Sequence, residues 1–429
     1  MPTGTISMAA SGSPIEVHSF LTATLGILVL FVGKILNRRI RWLREFTIPE
    51  PVSGGLLVAL VLTLLHAWFG LEMNFGMRAR DVLLVVFFTT VGINASFADL
   101  RRGGRSLLVL LALTITLMLA QNALGIALAR WAGLPPATGL LMGTVSLIGG
   151  HGTTIAWSPQ IASEEGVANA LEIGIAAATF GLILASACGG PIARFLIRRY
   201  RLEGPAANSG ATAQDPASAS ANATATARGS TSTNGSTMLS SDEFLGAVLA
   251  INVCIILGSL LQGVIRERGL FLPLFVPCLI VGILLSNLLP QRGAGLPFGW
   301  PARTPAVALI AEIALGAFLA MSLMTIQVWT LVDLAGPLLL ILAAQFVLVL
   351  FLTIFLVFPL LGATYDAAVI AAGFSGFTLG STPTAMATMT AVTERFGPSP
   401  RAFLILPLVS AFFIDLLNAV LIPFFLRRV

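Results

Sequence analysis

The chain has 429 residues and a formal net charge of +5; 56% of the residues are hydrophobic and only 10% are charged. A mean hydropathy of +0.94 excludes an ordinary soluble domain and a disordered chain, and it indicates a polytopic membrane protein. The basic residues cluster at the ends of apolar segments, which indicates membrane topology and not nucleic-acid binding. The three cysteines lie in apolar runs without metal-ligand spacing, so neither a metal centre nor a disulfide framework is expected.

The first half of the chain predicts five helices that cross the lipid bilayer. Arginines follow the first span at Arg38 and Arg39, the third at Arg101 and Arg102, and the fifth at Arg198. Because basic residues flanking membrane spans stay in the cytoplasm, the N-terminus is expected outside. The five apolar spans are residues 19–36, 49–69, 82–97, 107–129 and 167–193.

An interrupted apolar stretch, residues 139–157, lies between the fourth and fifth spans and contains Gly149-Gly150-His151-Gly152. Three glycines in four residues cost about 2–3 kcal/mol of helix propensity, so we expect the helix to be broken across 149–154. The preceding residues 137–147 form about 16 Å of helix, which places the break near the bilayer midplane. A re-entrant path, entering and leaving on one side, keeps the basic clusters of the first half in the cytoplasm.

The same pattern returns at residues 367–390 with an offset of 230 residues, so that Gly150 corresponds to Gly380 and Thr154 to Thr384. Gln345 also corresponds loosely to Gln121, in a similar Leu/Ala setting. Interrupted apolar segments at matching positions of two halves are typical of secondary transporters. The predicted fold is all-α, with two inverted-topology repeats of about five transmembrane helices, each with a broken or re-entrant glycine-rich segment. The spans of the second half are residues 244–265, 271–289, 306–328, 336–361 and 402–426.

The chain divides into an N-terminal membrane repeat at 1–202, a linker at 203–241 and a C-terminal membrane repeat at 242–429. The linker is rich in Ala, Ser, Thr, Asn and Gly, and it is expected to be disordered and cytoplasmic. By the same count of crossings the C-terminus lies outside, although Arg427 and Arg428 do not fit the rule that basic residues stay inside.

Two helices interrupted inside a membrane predict a site for a carboxylate and a cation. A helix that starts there presents N–H groups and the positive end of its dipole, whereas one that ends there presents carbonyl oxygens that suit sodium. The alternative is a glycine-lined helix crossing whose hydroxyls bond only to backbone. The predicted substrate-binding residues are Gly149, Gly150, His151, Gly152, Thr153, Thr154, Gly380, Ser381, Thr382 and Thr384.

Asp415 and Asn418 lie three residues apart on one helix face and are the best candidates for a pair of cation ligands. Thr154 and Ser381 complete the predicted ion ligands through their hydroxyls. His151 is open to three interpretations: a proton carrier, a substrate contact or a polar residue satisfied at the break. Glu172 is interpreted as a contact with lipid headgroups and not as a site residue. The role of Glu312 is left open. No catalytic constellation is present, so an enzyme is not expected.

Seven stretches of the chain carry a pattern of motifs: residues 47–57 (TIPEPVSGGLL), 87–104 (FFTTVGINASFADLRRGG), 121–125 (QNALG), 149–158 (GGHGTTIAWS), 178–181 (ATFG), 380–395 and 407–418. In the right order and over nearly the whole membrane region, they resemble the bacterial sodium/glutamate symporter family. One departure is that the second motif reads Leu379-Gly380-Ser381 instead of having two adjacent glycines.

The resemblance implies uptake of L-glutamate coupled to Na⁺ in a bacterial inner membrane. It also implies a homodimer in which a transport domain moves relative to a scaffold, which gives alternating access. The residues alone leave other functions open: a proton- or sodium-coupled symporter for another dicarboxylate or acidic amino acid, a channel with glycine-rich breaks, or an intramembrane hydrolase.

Overall fold

A computed structural model describes residues 15–45, 48–70, 73–96, 104–202, 240–268, 272–289, 300–326 and 334–429. Within these ranges the chain is almost entirely helical, with one small two-stranded sheet that the all-α expectation did not include. In this sheet β1 (Ile15–Val17) pairs in parallel with β2 (Met73–Phe75). The expected linker, apart from its last two residues, and the basic pair Arg101 and Arg102 lie outside the described residues.

The first half contributes eight of the described helices. They are α1 (Ser19–Arg39), α2 (Arg41–Glu45), α3 (Glu50–Phe69), α4 (Arg78–Asn94), α5 (Gly104–Trp131), α6 (Pro136–Leu140), α7 (Gly150–Glu165) and α8 (Ala170–Arg199). Leu141–Val145 follows α6 as a π-helical turn that is kinked at Gly143.

The second half contributes another eight. They are α9 (Ser241–Glu267), α10 (Phe275–Leu288), α11 (Pro305–Leu323), α12 (Ala335–Leu352), α13 (Tyr365–Leu379), α14 (Thr382–Phe396), α15 (Pro400–Leu408) and α16 (Ile414–Leu426). π-helical turns follow α12 at Thr353–Val357, with a short helical end at Phe358–Leu360, and join α15 to α16 at Val409–Phe413.

Seven helical segments of the described chain are long and apolar enough to span a membrane: α1, α3, α5, α8, α9, α11 and the α12 segment extended to Leu360. Three shorter apolar helices, α10, α13 and α16, accompany them. Large aliphatic and aromatic side chains such as Phe20, Phe31 and Leu260 remain exposed on these helices, as lipid-facing positions require. The protein is therefore a polytopic helical membrane protein.

The helices pack as two groups, each with members from both halves of the chain. The panel group comprises α1, α3, α4, α9, α10 and α11, with α4 packed tightly on α10 and α11. The hairpin group comprises α5–α8 and α12–α16, with α8 packed on α7, α13 and α14, and α5 on α6 and α12. In the hairpin group, α5 and α6 cross where only glycines fit, because a Cβ on Gly125 would lie 2.2 Å from the carbonyl oxygen of Gly139.

The first interruption begins earlier than the sequence predicts. Gly143 leaves helical geometry (φ −102°, ψ −129°), residues 146–149 form turns, and Gly150, where the next helix begins, has φ +67°. The expected break is therefore correct at Gly149 and Gly150 and wrong for His151, Gly152, Thr153 and Thr154, which are helical. The helix breaks where Asn122 on α5 supplies an acceptor for the freed N–H of Thr144.

The second interruption is shorter and lies at the predicted place. Helix α13 ends at Leu379, Gly380 adopts φ −140° and ψ −91°, and Ser381 is extended before α14 begins. Pro383 occupies the first turn of α14, where its missing N–H is not needed.

Candidate functional site

The two interruptions lie side by side in the hairpin group. A Cβ on Gly150 would lie 3.6 Å from the carbonyl oxygen of Gly380, so the start of α7 contacts the end of α13. Gly150 has φ +67°, a conformation that residues with a side chain rarely adopt. Gly152 faces the panel group, since a Cβ there would lie 3.7 Å from Cζ of Phe318 on α11. The start of α7 is therefore the point where both interruptions and both helix groups meet.

Helix α16 brings the predicted ion ligands to this point. The Thr153 side chain on α7 lies beside the Asp415 carboxyl group on α16, and the two helices contact each other. Asn418 is 1% exposed, and neither its amide oxygen nor its amide nitrogen has a hydrogen-bond partner among the described residues. A buried amide with both polar atoms unsatisfied is uncommon and points to a missing ligand or water.

The hydroxyls of Thr154 and Ser381 make hydrogen bonds at the starts of their helices, and their oxygen atoms keep lone pairs for an ion. Thr154 Oγ1 donates to the carbonyl oxygen of Gly150 at 2.8 Å and lies 3.0 Å from Oγ of Ser146. Ser381 Oγ and Thr384 Oγ1 are 3.0 Å apart in the first turn of α14. These contacts stabilise the starts of the two helices, which is the role that the alternative interpretation of a helix crossing assigns to such residues.

His151 is buried and bonds to a residue that was not among the predicted site residues. Its Nε2 lies 3.0 Å from Oγ1 of Thr179 on α8. This contact holds the imidazole ring within the hairpin group. In the sequence, only the position of Thr179 within the family-like stretch 178–181 could have indicated its role.

The structure adds three buried amides to the predicted site residues. Asn122 Oδ1 accepts hydrogen bonds from both N (3.0 Å) and Oγ1 (2.9 Å) of Thr144, directly after the Gly143 kink. Gln121 Nε2 donates to the carbonyl oxygen of Thr378 at 3.3 Å, and Gln345 Nε2 donates to that of Gln121 at 2.7 Å. The adjacent amides Gln121 and Asn122 in the middle of an apolar helix are the sequence signal that could have found two of them.

Glu312 is exposed on α11, and Glu172 lies in the first turn of α8.

Within the described ranges, no group of three or more His, Cys, Asp or Glu side chains is gathered in one place. A cation bound near Asp415 would therefore be held by one carboxylate and by neutral oxygen atoms. Hydroxyl, amide and main-chain carbonyl oxygens suit a hard monovalent ion such as sodium.

Apolar membrane-spanning helices around a buried polar junction define a multi-pass membrane transport protein. Comparison with known proteins then gives the family: the sodium/glutamate symporter family matches residues 15–398. The sodium/glutamate symporter of Escherichia coli (strain K12) is 40% identical over 413 residues, which cover 96% of this chain and 98% of the relative. The chain belongs to the sodium/glutamate symporter family.

Two further relatives carry the same description. The protein of Shigella flexneri is also 40% identical over 413 residues, covering 96% of this chain and 98% of its own. The protein of Haemophilus influenzae is 39% identical over 405 residues, covering 94% and 96%. These relatives are named as symporters, which are transporters and not enzymes. No solved structure matches the chain.

Proposed function

We propose that this protein imports L-glutamate together with sodium ions by alternating access. The junction of Thr153, Asp415 and Asn418 at the start of α7 is the observation that carries the proposal. It supplies a carboxylate and an unsatisfied amide, which is the chemistry a sodium ion needs. The choice of glutamate rests on the named activity of the relatives, which this chain matches over nearly its whole length.

Sodium binds at Asp415 and Asn418 in this proposal. Asp415 provides the charge and Asn418 Oδ1 provides a neutral oxygen, and the two lie one helical turn apart on α16. Thr153 Oγ1 is a third oxygen at the same place. Thr154 and Ser381 hydrogen-bond at the starts of α7 and α14, and in this proposal their oxygen lone pairs complete the ion site.

Glutamate binds with its carboxylates at the starts of α7 and α14. Each helix start presents N–H groups that have no partner within the helix, together with the positive end of the helix dipole. The residues involved are Gly149, Gly150, His151, Gly152, Thr153, Thr154, Gly380, Ser381, Thr382 and Thr384. Because glutamate carries a net charge of −1, two or more sodium ions are needed to import positive charge. Each net charge then gains about 2.3 kcal/mol per 100 mV of membrane potential.

The packing of the helices supports the proposal of an inverted repeat. Helix α3 packs on α11 while α10 packs on α4, so the second membrane helix of each half contacts the third of the other. In the same way, α1 packs on α11 and α9 packs on α4, so the first membrane helix of each half also contacts the third of the other. The hairpin group then moves relative to the panel group, past contacts such as that of Gly152 with Phe318. We place the protein in the inner membrane as a homodimer, with both termini outside and the linker in the cytoplasm.

The test is uptake of labelled L-glutamate into proteoliposomes under an inward sodium gradient, with potassium or proton gradients as comparisons. We expect accumulation against the concentration gradient only with sodium, and competition by unlabelled L-glutamate. Uptake driven by a proton gradient would show that the proton is the coupling ion. Stronger competition by another dicarboxylate would show that this dicarboxylate, and not glutamate, is the substrate. Flux that never exceeds equilibration would indicate a channel and contradict the proposal.

A further inference from the structure

Two glutamines, one from each half of the chain, form a fully buried pair in the hairpin group. Gln121 lies on α5 and Gln345 on α12, and both are 0% exposed. Each amide nitrogen faces a main-chain carbonyl oxygen, that of Thr378 for Gln121 and that of Gln121 for Gln345. A reversed amide would bring two oxygens together, so the orientation of both amide groups is fixed by their surroundings.

This orientation leaves two acceptors without donors. Oε1 of Gln121 and Oε1 of Gln345 are buried, and neither has a hydrogen-bond partner among the described residues. Buried carbonyl oxygens are nearly always satisfied by protein or water. Because the unsatisfied atoms of these two glutamines are the negative ends of amide dipoles, they attract a positive charge.

The pair lies next to both interruptions. The Gln121 amide contacts the carbonyl oxygen of Thr378, two residues before Gly380, while its neighbour Asn122 holds Thr144 directly after the Gly143 kink. The last carbonyl groups of a helix such as α13 have no partner within the helix. Gln121 is therefore positioned at the carbonyl end of α13, where a cation gains further oxygen ligands.

We propose that Gln121 and Gln345 bind a sodium ion that is distinct from the ion at Asp415 and Asn418. This inference rests on the proposed function and extends it, because importing glutamate with net positive charge requires more than one sodium ion. One amide from each half contributes an oxygen. The site depends on the contact between α5 and α12 and on the end of α13.

The experiment compares Gln345→Met and Gln121→Met with the wild-type protein in proteoliposomes, by measuring glutamate uptake against sodium concentration. Methionine keeps the length of the side chain and removes the amide oxygen. We expect the half-saturating sodium concentration to rise at least tenfold and the Hill coefficient to fall toward one. Gln345→Asn keeps the amide group and shortens the side chain by one methylene group, so we expect an intermediate rise in the half-saturating sodium concentration.

Thr114→Val is the matched control, since Thr114 is also buried on α5 but its hydroxyl donates only within its own helix, to the carbonyl oxygen of Leu110 at 2.8 Å. Its sodium curve should be unchanged. A wild-type sodium curve in both methionine variants would mean that the amide oxygens hold only water, and it would overturn the inference. A rise in the KM for glutamate at saturating sodium, without a change in the sodium curve, would assign the pair to the substrate ammonium group and also overturn it.

Two readouts separate this inference from the proposed function. If the wild-type protein shows no sodium dependence, the proposed function fails before any variant is compared. If the methionine variants do not insert, Gln345→Asn decides the question, since it keeps the amide group and moves its oxygen. An unchanged sodium curve for Gln345→Asn would then contradict the cation site.

Discussion

Gly150 and Gly166 have the same backbone conformation but different surroundings, which allows strain and contact to be tested separately. Both have φ +67°, at opposite ends of α7. A side chain in this left-handed conformation costs about 1–2 kcal/mol, so substitution should destabilise the protein by a similar amount at either glycine. Only Gly150 has a neighbour: its added Cβ would lie 3.6 Å from the carbonyl oxygen of Gly380, whereas that of Gly166 would meet nothing within 4 Å.

We therefore expect Gly150→Ala to retain part of the transport activity and Gly150→Val to lose it. The alanine methyl group only reaches van der Waals contact with Gly380, but the two γ-carbons of valine extend into the space between the interruptions. Gly166→Val should keep substantial uptake despite comparable strain.

The assay is initial glutamate uptake per inserted protein, with thermal stability in detergent as the measure of folding. Equal loss of uptake in Gly150→Val and Gly166→Val, with equal loss of stability, would attribute the effect to strain alone. Normal uptake in Gly150→Val would refute the assignment of the start of α7 to the transport site.

Three further variants test individual contacts. Asp415→Asn should raise the half-saturating sodium concentration about tenfold, which corresponds to about 1.4 kcal/mol of lost ion-binding free energy. The control Asp81→Asn, at the exposed start of α4, should leave that concentration unchanged. Equal sodium curves for the two variants would remove Asp415 from the ion site. Asn122→Leu should destabilise the protein by about 1–3 kcal/mol, because the buried N–H of Thr144 loses its acceptor, and a wild-type melting temperature would contradict this role. Thr179→Val removes the hydroxyl that contacts His151 and should lower glutamate uptake. Thr116→Val, which removes an exposed hydroxyl that bonds only within its own helix, should lower it less. Equal uptake by the two variants would show that the His151 contact is dispensable.

The membrane helices could be predicted from the sequence because hydropathy alone requires them. In a bilayer every backbone polar group must be satisfied internally, so a long apolar run without charges has few structures other than a helix. The helices found at Ser19–Arg39 and Ser241–Glu267 each contain a predicted span and extend beyond it by a few residues. The helix at Ala170–Arg199 begins a few residues after the predicted span 167–193 begins and ends a few residues after it. Helix ends are less predictable because polar and basic residues can extend a helix beyond the apolar region.

The position of the first break could not be predicted, because it depends on a tertiary contact. Glycine content favoured 149–154, whereas the interruption runs from Gly143, where Asn122 from another helix accepts the N–H of Thr144, to Gly150 with its φ of +67°. Residues 151–154 then belong to the first turns of α7. The contact of Thr153 with Asp415 likewise joins residues 262 positions apart, and no local pattern encodes that distance.

The charges at the junction imply an order of binding. Asp415 is partly buried in the hairpin group, with Thr153 as a neutral neighbour, and glutamate would bring a further net negative charge to the same region. Like charges in a medium of low dielectric constant repel strongly, so sodium must bind before or with glutamate. In the proposed mechanism, neutralising these charges would also favour movement of the hairpin group past Phe318 of the panel group.

This order predicts that sodium raises the affinity for glutamate and that glutamate raises the affinity for sodium by the same factor, since binding linkage is reciprocal. Glutamate binding to purified protein, measured by calorimetry at low and high sodium, should show an increase of at least tenfold in affinity. In Asp415→Asn the dependence should weaken, because the neutral side chain no longer repels the substrate in the absence of the ion. Glutamate affinity that is independent of sodium in the wild-type protein would show that the ion and the substrate do not share an electrostatic environment, and the assignment of Asp415 would have to be abandoned.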